Sequence, residues 1–175
     1  MQLGRKMIAT RISLALFLIP LAPDVSAAQQ AGQQLLGSFQ DWSAYTAKSG
    51  SGKVCFVISQ PKSRAPDGLN RDPAYFFVST RPADNVTNEV SVQVGFPTRE
   101  GSTADMTIGS ASFQLITQNG RAWSNGSDDA RIVAAMRAGA DMTVKSTSTR
   151  GNVTTDTYSL SGVTAALDRA GQECR

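Results

Sequence analysis

Apolar and polar residues alternate along much of the chain, and this alternation predicts β-strands. The stretch Glu89–Gly95 is the clearest example, because valines occupy every second position. A period of two places one set of side chains on each face of a strand. We therefore expect Val90, Val92 and Val94 to face a core, and Ser91 and Gln93 to face solvent.

Other runs rich in β-branched and aromatic residues end at proline, glycine or asparagine, and these also predict strands. Together they make about eight strands with frequent turns, and strands do not alternate with helices. This arrangement is typical of a mostly β, antiparallel β-sandwich rather than of a parallel sheet. The other predicted strands cover residues 42–45, 53–59, 74–80, 103–108, 111–117, 141–147 and 153–160, with a short extended piece at 122–123.

Two stretches change to a helical period and predict two short helices, over residues 128–139 and 163–170. Ser127 and Ser161 precede them and are expected to cap the first backbone N–H groups, and Gly139 and Gly171 are expected to end them. Asp128 and Asp129 suit the positive end of the first helix dipole. The predicted inner faces are Ile132, Val133 and Met136 in the first helix, and Val163, Ala166 and Leu167 in the second.

The N-terminus has the order of a secretory signal peptide. Basic residues come first, an apolar run follows from Ile12 to Ala22, and small residues at 25–28 fit a cleavage site. The apolar run is about half of the roughly 20 residues that a stable membrane-spanning helix needs. We therefore predict a signal peptide over residues 1–27, a flexible Gln-rich leader over 28–38, and one domain over 39–175 in the periplasm or outside a bacterial cell.

Removal of the signal peptide changes the charge of the protein. The full chain has 17 Lys and Arg against 14 Asp and Glu, and the signal peptide carries three of the basic residues and one acidic residue. The exported part then has 14 basic and 13 acidic side chains, a net charge of +1. Dispersed charges of this balance do not favour nucleic-acid binding or a polybasic membrane contact.

Two cysteines, Cys55 and Cys174, lie in the exported part. In an oxidising compartment two cysteines predict one disulfide bond, which would close a loop of more than 100 residues. The loop-entropy model assigns about 4–5 kcal/mol to such a bridge. A metal-binding or redox-active pair is the alternative, and a metal site would need further ligands in a chain without histidine.

The residue types limit the chemistry that the chain can perform. Without histidine, no Ser-His-Asp or Cys-His arrangement can form. Ser59 and Lys62 match the spacing of a Ser-Lys dyad, but a strand end and Pro61 separate them. Asp41 and Asp156 each stand near an aromatic residue, as carboxylates do in sugar sites. We predict no catalytic residue, no metal and no cofactor.

Aromatic residues are the candidates for a binding site. Trp42, Tyr45 and Trp123, with Tyr75, could bind a protein or a carbohydrate. Asp156 shares a predicted strand face with Tyr158, so it needs a cationic partner. Arg150 is the candidate for a structural ion pair with Asp156, and Arg121 is the alternative.

The chain resembles the invasion-associated locus B family of exported proteobacterial proteins. The resemblance covers about residues 39–174, and its motifs occur in the same order and spacing. The resembling residues are Asp41-Trp42, Cys55, Ser59-Gln60-Pro61, Asn88–Val92, Gly95-Phe96-Pro97, Ile108-Gly109, Phe113–Leu115, Ala122-Trp123, Ala135–Gly139, Arg150-Gly151, Thr155–Gly162, Ala165–Leu167 and Cys174.

The resemblance implies an immunoglobulin-like β-sandwich, a periplasmic or surface location, and no known catalysis. It also suggests a relation to virulence proteins of pathogens. We therefore expect a non-enzymatic exported domain that binds an envelope or host protein. A carbohydrate-binding module of the cell envelope is the alternative. We expect no nucleic-acid partner and no stable membrane insertion after the signal peptide is removed.

Overall fold

The computed structural model describes residues 32–50 and 52–175, and β-strands dominate them. The predicted signal peptide and residues 28–31 lie outside the described residues. The strands are β1 (Gln33–Phe39), β2 (Trp42–Ser49), β3 (Gly52–Ser59), β4 (Ser63–Ala65), β5 (Tyr75–Arg81), β6 (Val86–Gln93), β7 (Thr103–Ile108), β8 (Ala111–Gln118), β9 (Arg121–Trp123), β10 (Asp141–Thr147) and β11 (Val153–Ser159). The helices are α1 (Asp129–Ala138) and α2 (Val163–Glu173), with one 3₁₀ turn over Pro82–Asp84.

The strands pair antiparallel in the order β1-β2-β3-β5-β6-β9-β8-β7-β10-β11-β4. This ribbon folds back on itself, so that β2 and β5 stack on β11. The ring centroids of Phe76 and Tyr158 lie 5.6 Å apart across the two layers, and Trp42 Nε1 donates a hydrogen bond to Ser159 O at 2.9 Å. The predicted fold class, an antiparallel β-sandwich with two short helices, is confirmed.

The core lies between the layers and follows the predicted alternation. Val90, Val92 and Val94 are all buried in it, as predicted. Ser91 is also buried, although alternation predicted an exposed residue. Its cross-strand partners explain the difference, because Ser91 lies between Phe77 and Trp123 on the opposite face, and these rings cover a small side chain.

Both helices cover the core with the predicted faces, but their termini differ from the prediction. Asn125, not Ser127, accepts the hydrogen bond of the Asp128 N–H group, at 3.1 Å. Asp129 is buried and accepts a hydrogen bond from the Val90 N–H group at 3.1 Å, which holds α1 against β6. The inner-face residues Ile132, Val133, Met136, Val163, Ala166 and Leu167 are all buried.

A glycine precedes helix α2 because the chain passes close to the backbone of β1 at this point. Gly162 has φ +89°, and a Cβ there would collide with Phe39 O. The Ser161 side chain contacts the Gln40 side chain instead of capping the helix. At its other end α2 continues through Gly171 to Glu173, beyond the predicted end.

The disulfide between Cys55 and Cys174 is present, with Cα atoms 5.9 Å apart. It joins β3 to the residue after α2, across a sequence separation of 119 residues. We call the layer that contains β2, β3 and β5 the first layer of the sandwich. The bridge therefore connects the first layer to the C-terminal helix that covers it.

The structure has two strands where loops were predicted. The leader prediction over residues 28–38 is wrong from Gln33 onward, because β1 pairs with β2 and turns Leu36 and Phe39 toward the core. The polar loop after Pro61 contains β4, which pairs with β11. Neither strand shows a clear apolar alternation, since both lie at the edges of the sheet. None of the helices within residues 32–50 and 52–175 has the length and apolar composition that a membrane-spanning segment requires.

Candidate binding face

Aromatic side chains cluster on the side of the first layer that faces away from the core. Tyr45 is the cross-strand partner of Phe56, and their rings stack at 5.5 Å with an interplanar angle of 14°. Phe77 lies 6.2 Å from both Phe56 and Tyr75, measured between ring centroids. We call Tyr45, Phe56, Tyr75 and Phe77 the aromatic face. All four side chains are half-buried.

The apolar surface continues from the aromatic face across the next strands. Phe77 pairs with Ser91, Ser91 with Trp123, and Trp123 with Ile116, so these residues form one row across β5, β6, β9 and β8. Ile116 is 59% exposed. The row therefore ends in an apolar side chain that is open to solvent.

A basic group borders this surface. The guanidinium carbon of Arg121 lies 5.7 Å from the Phe77 ring centroid, a cation–π distance. Arg121 Nη2 also donates a hydrogen bond to Gln93 Oε1 at 3.4 Å. An apolar centre with an arginine at its rim is a typical composition of a protein–protein contact surface.

An open cleft of about 580 Å³ lies at one end of the aromatic face, between Tyr45 and Tyr75. Ile58 lies between the tyrosines in the sheet and contributes apolar surface. The polar lining residues are Gln40, Asp41, Ser43, Ser59, Gln60 and Lys62. Tyrosine rings with amide and charged groups beside them can bind a sugar or a peptide.

Two charged groups at the cleft neutralise each other. Lys62 Nζ lies 2.8 Å from Asp41 Oδ1, and its hydrogen bond lowers the pKa of the Asp41 carboxyl group. Ser59 Oγ donates to the backbone oxygen of Asp41 at 2.7 Å and is buried. The lysine and the hydroxyl group therefore each have another partner, and this geometry does not form a Ser-Lys dyad.

The second charged cluster surrounds Asp156 in the interior. Arg71 Nη1 lies 3.1 Å and Arg64 Nε 3.4 Å from Asp156 Oδ1. Burial raises the pKa of Asp156, and the two guanidinium groups act against that rise. Burial also raises the pKa of Tyr158, whose hydroxyl oxygen has no hydrogen-bond partner among the described residues.

The Asp156 cluster fastens a loop to the sandwich. Arg64 donates to the backbone oxygen atoms of Asp72, at 2.8 Å, and Val94, at 3.1 Å. Arg71 donates to the backbone oxygen of Arg64 at 2.9 Å. These bonds use the guanidinium groups for backbone contacts across three segments, which is a structural role.

The comparisons with known proteins agree with this architecture. The family model described as Invasion associated locus B (IalB) protein matches residues 42–171 of the chain. The chain belongs to the invasion associated locus B family. The match includes the strands of the aromatic face and ends within α2.

A solved structure has a similar fold. The crystal structure of invasion associated protein B from Bartonella henselae is similar, with a TM-score of 0.56 and 18% sequence identity. The similarity covers 78% of this chain and 96% of that chain. At this identity it supports the fold. No curated protein matches the chain.

The structure separates the predicted binding residues of this family member. Trp42 is 1% exposed and its ring donates to a backbone oxygen in the opposite layer, so its prediction as a binding residue is wrong. Tyr45 and Trp123 both lie on the side with the aromatic face, but three strands separate them. With about 4.8 Å between neighbouring strands, they are about 19 Å apart. Tyr75 joins Tyr45 at the cleft.

The predicted ion pair between Asp156 and Arg150 is also wrong. Asp156 pairs with Arg64 and Arg71, while Arg150 lies exposed in the turn before β11 and Arg121 lies over Phe77. Arg64 reaches Asp156 because β4 pairs with β11, which makes the two residues cross-strand partners. The sequence did not predict β4, so it could not predict this partner.

Phe56 and Phe77 are the site residues that the sequence analysis missed. A signal for them exists in β5, where Tyr75, Phe76, Phe77 and Val78 are apolar at both odd and even positions. A strand with apolar residues at both odd and even positions has two faces that are either buried or available for binding. Within the described residues no group of three potential metal ligands occurs.

Proposed function

We propose that this protein is a non-enzymatic binding domain of the bacterial periplasm or exterior, and that it binds another protein through the aromatic face. The observation that carries the proposal is the second apolar side of β2, β3 and β5. The core already occupies the inner side, and the buried apolar residues of both helices belong to that core. The aromatic side chains therefore remain half-exposed on the other side.

Physical chemistry favours a protein partner for this surface. Rigid aromatic side chains lose little conformational entropy on binding, and tyrosine, tryptophan and arginine dominate binding hot spots. Tyr45, Trp123 and Arg121 all lie on this side of the sheet. The relation to invasion-associated proteins supports an envelope or host protein as the partner.

The absence of catalysis is part of the proposal. The sequence contains no histidine, and the Ser59 hydroxyl group and the Lys62 amine already have structural partners. Asp41 lies at the cleft and Asp156 in the interior, with separate partners. If a hydrolytic activity were found, Asp41→Ala and Asp156→Ala would leave it unchanged in protein that remains folded.

The export proposal is supported by the N-terminal pattern, the disulfide and the family. Mass spectrometry of protein from the cell envelope tests it directly. We expect an N-terminus at Ala28 and a bonded Cys55–Cys174 pair. An uncleaved chain with two free thiols in the cytoplasm would contradict the proposal.

Partner capture followed by titration tests the binding face. Oxidised wild-type domain would capture envelope and host-surface proteins, which mass spectrometry identifies, and each purified candidate would then be titrated. We expect Phe77→Ala and Tyr45→Ala to weaken binding by roughly tenfold or more, the usual effect of a hot-spot truncation. The matched control is Val153→Ala, because Val153 is apolar, 48% exposed and located on β11. Equal binding by all four proteins would refute the aromatic face as the site.

A carbohydrate is the second candidate ligand, because the cleft combines two tyrosines with amide and charged groups. Titration of a panel of envelope and capsule glycans, followed by NMR, distinguishes it from the first candidate. If the cleft binds a carbohydrate, Tyr75→Ala should abolish the chemical-shift changes that the glycan causes, while Trp123→Ala should preserve them. No response across the panel would remove this candidate.

A further inference from the structure

Strand β1 is an open edge of the sheet. The described residues pair it only with β2, at one end of the strand order. It is seven residues long, and the whole sequence from Val25 to Gln40 contains no charged residue. Natural edge strands are normally protected by charges, proline or short length, since their free N–H and C=O groups accept another strand. Of the features that can protect an edge, β1 has a bulge between Leu35 and Gly37.

The opposite edge of the sheet has the protection that β1 lacks. Strand β4 is three residues long, carries Arg64, and is followed directly by Pro66. An incoming strand would find few free backbone groups there. Edge pairing therefore has one available site on this sheet.

Helix α2 does not occupy the free edge of β1. Its buried residues Val163, Ala166, Leu167 and Ala170 pack into the core between the layers, and among the described residues β1 has no strand partner besides β2.

Only an extended backbone can use the free groups of an edge strand, and the edge is compatible with itself. When two β1 strands meet antiparallel, no charged side chains face each other, and the 51%-exposed Leu35 can lie beside the Leu35 of the other copy. Leu35 also lies next to Tyr45, so the apolar surface is continuous up to the edge.

From these observations we propose that β1 pairs antiparallel with β1 of a second copy of this chain, forming a two-fold symmetric dimer. Because the other edge is protected, the contact uses the same surface on both copies and closes after two, without growing into a filament. Pairing of two seven-residue strands buries less than the roughly 1,200 Å² of a standard interface. The dimer is therefore weak and forms at high protein concentration.

Sedimentation of the oxidised exported chain at increasing concentration tests the proposal. We expect a concentration-dependent dimer for the wild type. Leu35→Lys and Leu35→Glu should each weaken it by roughly tenfold or more, because like charges then meet across the two-fold axis and apolar contact is lost. A mixture of the two variants should restore the dimer, since lysine then meets glutamate.

The matched control is Ile116→Lys, which makes the same change at an exposed apolar residue on a strand far from the edge. We expect it to dimerise like the wild type. A wild type that stays monomeric up to about 1 mM overturns the proposal and leaves the edge to an extended segment of another protein. Equal weakening by Ile116→Lys, or a mixture that stays monomeric, overturns it as well. Because the assay contains no other protein, its outcome does not depend on the proposed partner binding.

Discussion

Phe76 and Phe77 are neighbours in β5, yet the structure uses them on opposite sides of the same sheet. Phe76 is fully buried, with edge-to-face contacts to Trp42 at 6.0 Å and to Tyr158 at 5.6 Å. Phe77 is half-buried and contacts Phe56 and Tyr75 on the aromatic face. Two identical side chains thus join the two layers in one case and form surface in the other. Whether a position is odd or even along the strand, which we call its parity, decides its role more than its residue type does.

The two sides differ in what would be lost by removing an aromatic ring. An interior residue leaves a cavity that its close-packed neighbours fill only partly, so the transfer free energy and the contacts are both lost. A ring on a half-exposed face leaves a gap that water can enter. The inner side should therefore control stability, and the outer side should control binding.

The largest expected effect comes from changing these two phenylalanines separately. Phe76→Ala should lower the free energy of unfolding by about 4 kcal/mol, the cost of a buried phenylalanine. Phe77→Ala should lower it by about 1 kcal/mol, since part of its surface is already in contact with water. Urea unfolding of the oxidised proteins measures both values. Equal losses would show that parity does not divide the two roles.

The disulfide provides the second test, because it holds α2 against the inner side. Replacing Cys55 and Cys174 together by alanine should lower the free energy of unfolding by about 3 kcal/mol, since bridges often deliver less than the loop model predicts. The aromatic face lies on the other side of the sheet. At temperatures where the double variant is folded, we therefore expect its ligand affinity to match the wild type. A large loss of affinity in folded protein would show that the outer side depends on the bridge.

Parity also explains what the sequence could and could not predict. The Val90–Val94 alternation, both helix faces and the cysteine pair were readable, because each depends on local period or on compartment. The spacing of three residues between Trp42 and Tyr45 already places them on opposite sides of one strand, although both were predicted to bind. The structure buries Trp42 in the core and leaves Tyr45 half-buried on the outer side.

Other features depend on register between distant strands, which local patterns do not contain. Asp156 pairs with Arg64, which is 92 residues away in the sequence, because β4 lies beside β11. Ser91 is buried because neighbouring strands bring Phe77 and Trp123 beside it. Strand β1 exists because β2 offers it a partner and the core accepts Leu36 and Phe39. Each of these required the assembled sheet.

A charge on each side of the comparison gives the third test. Asp156→Ala should lower the free energy of unfolding by about 2–3 kcal/mol, because two largely buried arginines lose their counter-ion. The value lies at the lower end for a buried ion pair, since burial already raises the pKa of Asp156 and offsets part of the attraction. The matched control is Asp41→Ala, whose ion pair with Lys62 faces solvent; we expect a change within experimental error.

The pH dependence of Asp156 has a definite sign. Its raised pKa means that the folded protein binds the proton more strongly than the unfolded chain does. Protonation of Asp156 therefore adds stability at pH values below its unfolded pKa, and this pH-dependent part of its contribution disappears as the pH rises through the folded pKa. Unfolding of Asp156→Ala and wild type between pH 3 and about pH 7 checks it. A difference between the two proteins that grows in the opposite direction would contradict the assigned shift.

The smallest effect concerns an exposed ion pair at the end of α2. Hydrogen bonds from Lys53 Nζ, at 3.1 Å, and from Arg169 lower the pKa of the Glu173 carboxyl group. A lowered pKa stabilises the fold above the unfolded value, and that stabilisation disappears as the pH falls through the folded pKa. Lys53→Ala should raise the pKa of Glu173 part of the way to its usual value, because Arg169 remains. NMR titration of the carboxyl carbon measures the rise in the pKa of Glu173, and urea unfolding at pH 7 should show no change in the free energy of unfolding.

Lys48→Ala is the control, since Lys48 forms no ion pair within residues 32–50 and 52–175. An unfolding change as large as that of Asp156→Ala would mean that exposed charges at the rim matter as much as interior ones, and the division between the two sides would fail.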